Sequence, residues 1–301
     1  MSENPLVSVV IANYNYGRFL PDALDSIISQ EMLDEFEILI VDAASTDDSV
    51  SIVKSYAGTE LRVADSNGSL WHECERLKWV SEPDDGQSDA FNKGFSVAKG
   101  RYFTWLNADE MYTPRTFRVI VDFIRRNPSA QWITSNDVSF SDETKMIVSL
   151  CWGPHFLPSV FTTSRIPPVV FGPSSFFSRD AFVKAGGFDV NLKYGMDTDL
   201  WRRFLQMGYR QYRLNRFCWA FRRHYASKTF GTATTIVESE KAGERAYLRQ
   251  KQVTSYRKSL LNPYYVLWLF LRVLDGSLLL KYLKRKQYVG KSINIVMERQ
   301  S

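Results

Sequence analysis

The chain has 301 residues, 45% of them hydrophobic and 24% charged, and a formal net charge of +5. That length and balance suit a globular enzyme with a sizeable core, and so modest a charge gives no ground for a nucleic-acid partner. Cys74, Cys151 and Cys218 show no metal or redox spacing and read as reduced, buried thiols. The opening Met-Ser-Glu-Asn-Pro lacks the basic and apolar regions of a secretory signal, so a cytoplasmic location is expected.

Leu6 to Ala12 is a near-continuous apolar run, the mark of a strand covered on both faces, and Asn13 to Gly17 form its exit loop. Leu20, Ala23, Leu24, Ile27 and Ile28 then recur at helical spacing. A second strand, Phe36 to Val41, ends on Asp42, and Ser45 with Asp48 makes a capping-box pattern for the next helix. Residues 58–75 are polar and without clear period, which predicts a surface loop or insertion. Leu77 to Val80 predicts a third strand. It ends in the acidic turn Glu82 to Gln87, before a helix whose apolar face is Phe91, Gly94, Phe95 and Ala98, with Asp89, Asn92 and Lys93 off that face.

Tyr102 to Leu106 predicts a buried strand running straight into Asn107, Asp109 and Glu110. Pro114 follows at the first turn of a helix faced by Phe117, Ile120, Val121 and Ile124. Gln131 to Ser135 predicts a further strand, and Val138 to Phe140 with Met146 to Leu150 a hairpin. Residues 151–171 carry four prolines and many aromatics and read as an irregular surface with binding capacity. A short strand at Ser174 to Phe177 and a short helix at Ala181 to Ala185 lead to Gly186-Gly187-Phe188-Asp189. Beyond Met196-Asp197-Thr198-Asp199, Leu200, Trp201, Phe204 and Leu205 form one helix face, and Tyr209 to Leu214 the last strand.

Strand, helix, strand, helix with short joints is the signature of a parallel α/β sheet. Ligands bind such a sheet at the carboxyl ends of its strands, where Tyr14, Asp42 and Asp109 fall together. Carboxylates there suit a hard divalent cation and, through it, a phosphate; the alternative is a solvated acidic turn capping a helix.

Residues 6 to about 228 resemble the family-2 glycosyltransferases. The resemblance rests on Val-Ser-Val-Val-Ile-Ala-Asn-Tyr-Asn, Ile-Val-Asp-Ala-Ala-Ser-Thr-Asp-Asp-Ser, Ser-Glu-Pro-Asp-Asp-Gly-Gln, Trp-Leu-Asn-Ala-Asp-Glu and Gly-Gly-Phe-Asp…Met-Asp-Thr-Asp-Leu-Trp, in the family's order. It implies an α/β fold of the glycosyltransferase-A type: a Rossmann-like, mixed, mainly parallel sheet flanked by helices. It further implies inverting, metal-dependent transfer from a nucleotide-sugar donor, with a UDP-sugar the expected donor and a glycan or lipid-linked glycan the acceptor.

By that resemblance Ala12 and Tyr14 lie against the base, and Asp42 accepts a hydrogen bond from it. Asp84, Asp85 and Gln87 form the third-strand turn at the nucleotide. The commonest pattern has two acids and a glycine where this chain has Asp42, Ala43 and Ala44. Asn107 and Asp109 fall on the Asp-x-Asp motif with asparagine in the first place, so Asp109 is the expected ligand of Mg²⁺ or Mn²⁺ and Asn107 a nucleotide contact, with Glu110 secondary. Asp197 falls on the catalytic-base position. Arg223, His224, Ser227 and Lys228 resemble the basic segment that closes over the diphosphate, Arg223 on the nucleotide and His224 on the metal. Ser174, Ser175 and Asp199 are assigned to the acceptor side.

The reading divides the chain at residue 235, with a helical appendage over 236–301. In it Tyr264 to Leu271 is apolar, Arg272 and Asp275 interrupt, and Leu278 to Leu280 precede Lys281, Lys284, Arg285 and Lys286. That is too short to span a bilayer. Residues 263–286 either lie in the inner membrane interface or pack on the catalytic domain or a second subunit. A non-catalytic, transferase-like scaffold is the competing reading of the whole chain. A nucleotidyltransferase would need a glycine-rich basic loop that Asn13 to Arg18 does not supply.

Overall fold

The computed structural model describes residues 4–58, 61–65, 68–74, 77–152, 172–227 and 263–299. Its nucleus is four parallel strands in the order β5-β2-β1-β6: β1 (Val7–Asn13), β2 (Phe36–Asp42), β5 (Leu77–Ser81) and β6 (Tyr102–Asn107). Their registers place Asn13 beside Asp42, Asp42 beside Ser81 and Ala12 beside Asn107, so the carboxyl ends are level. Right-handed crossovers require a helix between such neighbours, and α1 (Leu20–Ile28), α2 (Ser49–Ala57) and α3 (Gln87–Val97) supply it.

Beyond β6 the sheet turns mixed. After β7 (Met111–Tyr112) and α4 (Thr116–Arg126) come β8 (Trp132–Ser141), β9 (Ile147–Cys151) and β10 (Ser175–Ser178), with β10 antiparallel between β6 and β8. Two helices, α5 (Arg179–Ala185) and α6 (Met196–Gln206), lead to β11 (Gln211–Arg223), which runs parallel to β8 and carries β7 on its far side. The expected hairpin is the β8–β9 pair, and the strand preceding it is continuous with its first arm.

Two differences from the sequence reading have simple causes. Within residues 58–75, β3 (Leu61–Ala64) and β4 (Leu70–Glu73) form an antiparallel hairpin on the sheet edge; strands of four residues are too short to show a period. Ser45 does not cap α2, which starts at Ser49, but bonds the Asp42 carboxylate.

Alternating side chains of the nucleus feed opposite layers. Val9, Ile11, Ile38 and Ile40 pack with α1 and with Phe117 and Ile120 of α4, while Val10, Leu39 and Val41 pack with Phe91 and Phe95 of α3. The second layer extends through the ring stack Trp105–Trp201–Trp132, with centroids 5.7 and 5.2 Å apart, which seats α6.

Among the described residues of the C-terminal region, α7 (Pro263–Leu274), α8 (Ser277–Tyr288) and α9 (Asn294–Arg299) follow. Ile293, Val296, Leu280 and Tyr288 share a third apolar cluster with Val138, Phe140 and Trp152. Backbone bonds Ile147 N to Lys291 O, 2.8 Å, and Gly290 N to Ile147 O, 2.9 Å, tie this segment to β9. It therefore packs on the catalytic sheet, while the expected boundary at residue 235 lies outside the described residues.

Helix α3 approaches β1 at Gly94, where a Cβ would stand 2.4 Å from Val10 Cγ1. Gly94→Val overpacks a closed layer and should cost at least about 1–3 kcal/mol, read as a lowered urea midpoint at unchanged m-value.

Candidate active site

The carboxyl ends of β1, β2 and β5 are tied by one side chain. Asp42 is buried, and its carboxylate accepts from Asn13 Nδ2 at 2.6 Å, Ser45 Oγ at 2.5 Å, Ser45 N at 3.0 Å and Ser81 Oγ at 2.6 Å. A carboxylate has about four acceptor positions, and protein donors take all of them here. Asp42 builds the floor of the site and offers a base no free acceptor, which corrects its expected role. Asn15 extends the same net: its N–H donates to Ser45 Oγ at 2.8 Å, and its Oδ1 accepts from Thr46 N at 2.8 Å. Tyr14 beside it is 60% exposed, which rules out a core tyrosine and leaves its ring open to a ligand. Ala12 contributes backbone at the Asn107 register.

The third-strand turn meets β6 through Gln87, whose Nε2 donates to Asn107 Oδ1. The other end of the Asn107 amide donates to Glu110, a buried carboxyl that also accepts from Trp219 Nε1 at 3.0 Å. This gives the asparagine a physical reason. Burial, then the neighbouring Asp109, push Glu110 well above the usual carboxylate range, and an aspartate at 107 would add a third negative charge where a donor is needed. Asp84 lies half-buried in the same turn, accepts from Gly86 N at 2.8 Å and is raised by burial. Asp85 is exposed.

Asp109 stands at the end of β6 with His224 across from it, Oδ2 to Nε2 2.9 Å. The imidazole is wedged against Phe19, centroids 4.4 Å apart, with Tyr16 edge-on at 5.8 Å. Tyr16 donates to Ala226 O at 2.9 Å, closing the exit of β11 over the site. Arg222 locks this arrangement. It is 2% exposed, lies 5.1 Å from both the Phe19 and Phe140 ring centres, and donates to Asp109 O (3.0 Å), Asp142 Oδ1 (2.7 Å) and Asp22 Oδ2 (2.5 Å). Arg223 does not join it. Strand alternation turns Arg223 to the other face, where its Nη2 donates to Ser149 Oγ at 2.7 Å. Arg222, which the sequence reading did not single out, is the arginine beside Asp109. Ser227 is buried, and Lys228 and His155 lie outside the described residues.

Asp197 opens α6 half-buried at the same end of the sheet, since it accepts from Gly172 N (3.4 Å) ahead of β10 and from Thr198 N (2.7 Å). Burial raises its carboxyl above the usual range against the opposing pull of those N–H groups. The loop before it is fixed by α3: Asn92 exchanges two 2.9 Å bonds with Phe188 backbone, and Ser88 Oγ donates to Leu192 O at 2.9 Å. Gly187, at φ +76°, is where the chain passes Asn92. Of the residues assigned to the acceptor, Asp199 is consumed by Arg203 (Oδ2 to Nη2 2.7 Å), and Ser174 and Ser175 are fully buried where β10 begins. They are framework, not an acceptor wall.

Asp109 and His224 fit a cation that takes its remaining ligands from substrate oxygens and water, as Mg²⁺ does with phosphates. They face each other at bonding distance, and His224 Nδ1 is buried without a hydrogen-bond partner among the described residues. Among the described residues no cluster of three or more His, Cys, Asp or Glu could hold a metal by itself.

An exposed aromatic ring, a carboxylate–imidazole pair and a raised carboxyl thus lie at one end of an α/β sheet. The model described as Glycosyl transferase family 2 matches residues 8–185, and the chain belongs to that family. An uncharacterized glycosyltransferase of Rickettsia prowazekii (strain Madrid E) is 25% identical over 209 residues, 68% of this chain and 60% of the relative. The minor teichoic acid biosynthesis protein GgaB of Bacillus subtilis (strain 168) is 27% identical over 202 residues, 64% of this chain and 20% of GgaB. This chain thus spans less than two thirds of either relative. Among solved structures, S. aureus TarS 1-349 in complex with UDP-GlcNAc superposes with TM-score 0.60 at 14% identity, over 89% of this chain and 72% of that one. Mannosyltransferase PcManGT from Pyrobaculum calidifontis with GDP-Man and Mn²⁺ gives 0.52 at 19%, over 76% and 59%. The fold is therefore that of the glycosyltransferase-A enzymes.

Replacing Arg222 by methionine leaves Asp142 with surface lysine and arginine partners only and frees the Asp109 carbonyl. The expected loss is about 3 kcal/mol of unfolding free energy, measured by urea titration.

Proposed function

We propose that the chain transfers a sugar from a nucleoside-diphosphate donor, a UDP-sugar in the first instance, to a hydroxyl of a glycan or lipid-linked glycan, with inversion, in the synthesis of a cell-surface polysaccharide. The observation that carries this is the Asp109–His224 pair at the end of β6. The UDP-GlcNAc and GDP-Man complexes of the structural neighbours support the donor class, and the teichoic acid role in GgaB's name supports the pathway.

The donor base lies along Tyr14, at the floor fixed by Asp42. Asp109 and His224 would hold the divalent cation, Mg²⁺ or Mn²⁺, which neutralises charge on the departing nucleoside diphosphate. Asp197 takes the proton of the acceptor hydroxyl as its oxygen bonds to the anomeric carbon and the bond from that carbon to the diphosphate oxygen breaks. A base must sit near its operating pH, and burial moves Asp197 in that direction.

Two outcomes test this. Thermal shift with UDP should need Mn²⁺ or Mg²⁺ and be lost in Asp109→Asn; a shift unaltered by EDTA would remove the metal from the reading. Asp197→Asn should keep that shift and lose transfer by about 10²–10⁴-fold. In the wild type, with Asp197 raised, kcat/KM should fall on the acid side above the ordinary aspartate value of about 3.9, because protonated Asp197 cannot accept. Wild-type transfer by Asp197→Asn would sink the assignment, and metal-dependent nucleotide binding without any transfer would favour a scaffold.

A further inference from the structure

Helix α8 reaches the third apolar cluster through Leu280 and Tyr288, α7 is tied to it through Arg272, and both helices turn another face to solvent. The inner face is pinned by Arg272, buried, which donates to Trp152 O at 2.7 Å and Ser277 Oγ at 3.1 Å. On α7 the exposed apolar side chains are Val266, Leu267, Phe270, Val273 and Leu274, spaced as one helical face, with Phe270 at 56% and Leu274 at 67% exposure. On α8 they are Leu278, Leu279, Tyr282 and Leu283, again one face. Half of all the large apolar side chains exposed among the described residues thus fall between positions 266 and 283. So concentrated an apolar surface marks an interaction site.

Charge decides what covers it. Residues 263–288 hold five basic side chains and one acid, Asp275. Arg285 and Lys286 are exposed one turn beyond the apolar face of α8, with Lys286 Nζ 4.8 Å from the Tyr282 ring centre. A second copy of the chain would bring the same positive charge against itself, whereas an anionic bilayer complements it. No helix among the described residues is long and apolar enough to cross a membrane, so the contact is in the plane of the interface.

We infer that the outer faces of α7 and α8 form a monotopic docking surface for an anionic phospholipid bilayer. This surface is separate from the donor site, so its test does not depend on the transfer reaction. Full-length protein is sedimented with phosphatidylcholine vesicles containing or lacking phosphatidylglycerol, and its size is followed by gel filtration. Binding to the anionic vesicles is expected to exceed binding to neutral ones at least tenfold and to weaken with salt. Leu274→Asp with Leu279→Asp, and separately Arg285→Glu with Lys286→Glu, should each lower it about tenfold or more at unchanged melting temperature and circular dichroism. Protein that stays in the supernatant with both vesicle types overturns the inference, whether it elutes as a dimer joined by this face or as a monomer. Undiminished binding by the Asp variants overturns it as well.

Discussion

The buried guanidinium of Arg222 is the interaction on which the donor end of the molecule depends. Held between Phe19 and Phe140, it joins α1 through Asp22, the end of β8 through Asp142, and the turn after β6 through the carbonyl of Asp109. A buried arginine is tolerable only when its donors are satisfied and its charge is met, and two carboxylates meet it. Burial opposes ionisation of Asp142, yet hydrogen bonds from Lys145 and Arg222 hold it below the ordinary aspartate range. The consequence is geometric: Asp109 and His224 are fixed against each other by the fold itself.

A second carboxylate economy runs through Asn107. Three acids at one strand end would repel, and a buried Glu110 needs donors. The asparagine gives one hydrogen bond to Glu110 and takes another from Gln87, so the substitution that weakens the Asp-x-Asp motif also stabilises the carboxyl behind it. The same logic covers Asp42. Its four protein donors make it the joint of three strands, and Ala44, at φ +54°, accepts a left-handed backbone where the commoner pattern has glycine.

Much of the fold was legible because apolar runs and helical spacing report burial directly. The parallel nucleus, the level strand ends and the faces of α3, α4 and α6 all follow from residues such as Val9, Phe91, Ile120 and Trp201. The β3–β4 hairpin was not legible, since strands of four residues are too short to show a period. Nor was the full length of β11: the sequence reading ends that strand at Leu214, whereas it runs on to Arg223 and carries a buried, ion-paired Arg222. The need to choose between Arg222 and Arg223 was nevertheless in the sequence. Side chains alternate along a strand, so consecutive residues 222 and 223 of β11 must turn to opposite faces. Asp199, Ser174 and Ser175 failed for another reason: residue type and proximity to a motif say nothing about whether a neighbour such as Arg203 has already taken the group.

What remains is how the end of β6 and the raised carboxyl of Asp197 come to lie at one end of the sheet although 85 residues of chain separate Glu110 from Met196, where α6 starts. Helix α3 is the yoke. At its first residue Gln87 grips Asn107, one residue on Ser88 holds Leu192, and a turn later Asn92 clamps Phe188 from both sides. Each of these polar groups is aimed at backbone or amide rather than at water. The Gly-Gly-Phe-Asp turn is thereby a structural latch: Gly187 lets the chain pass Asn92, and Phe188 enters the aromatic layer against Trp105, with centroids 5.2 Å apart. Strain or slack in α3 would therefore move the loop before Asp197 relative to Asn107 without a change at either residue.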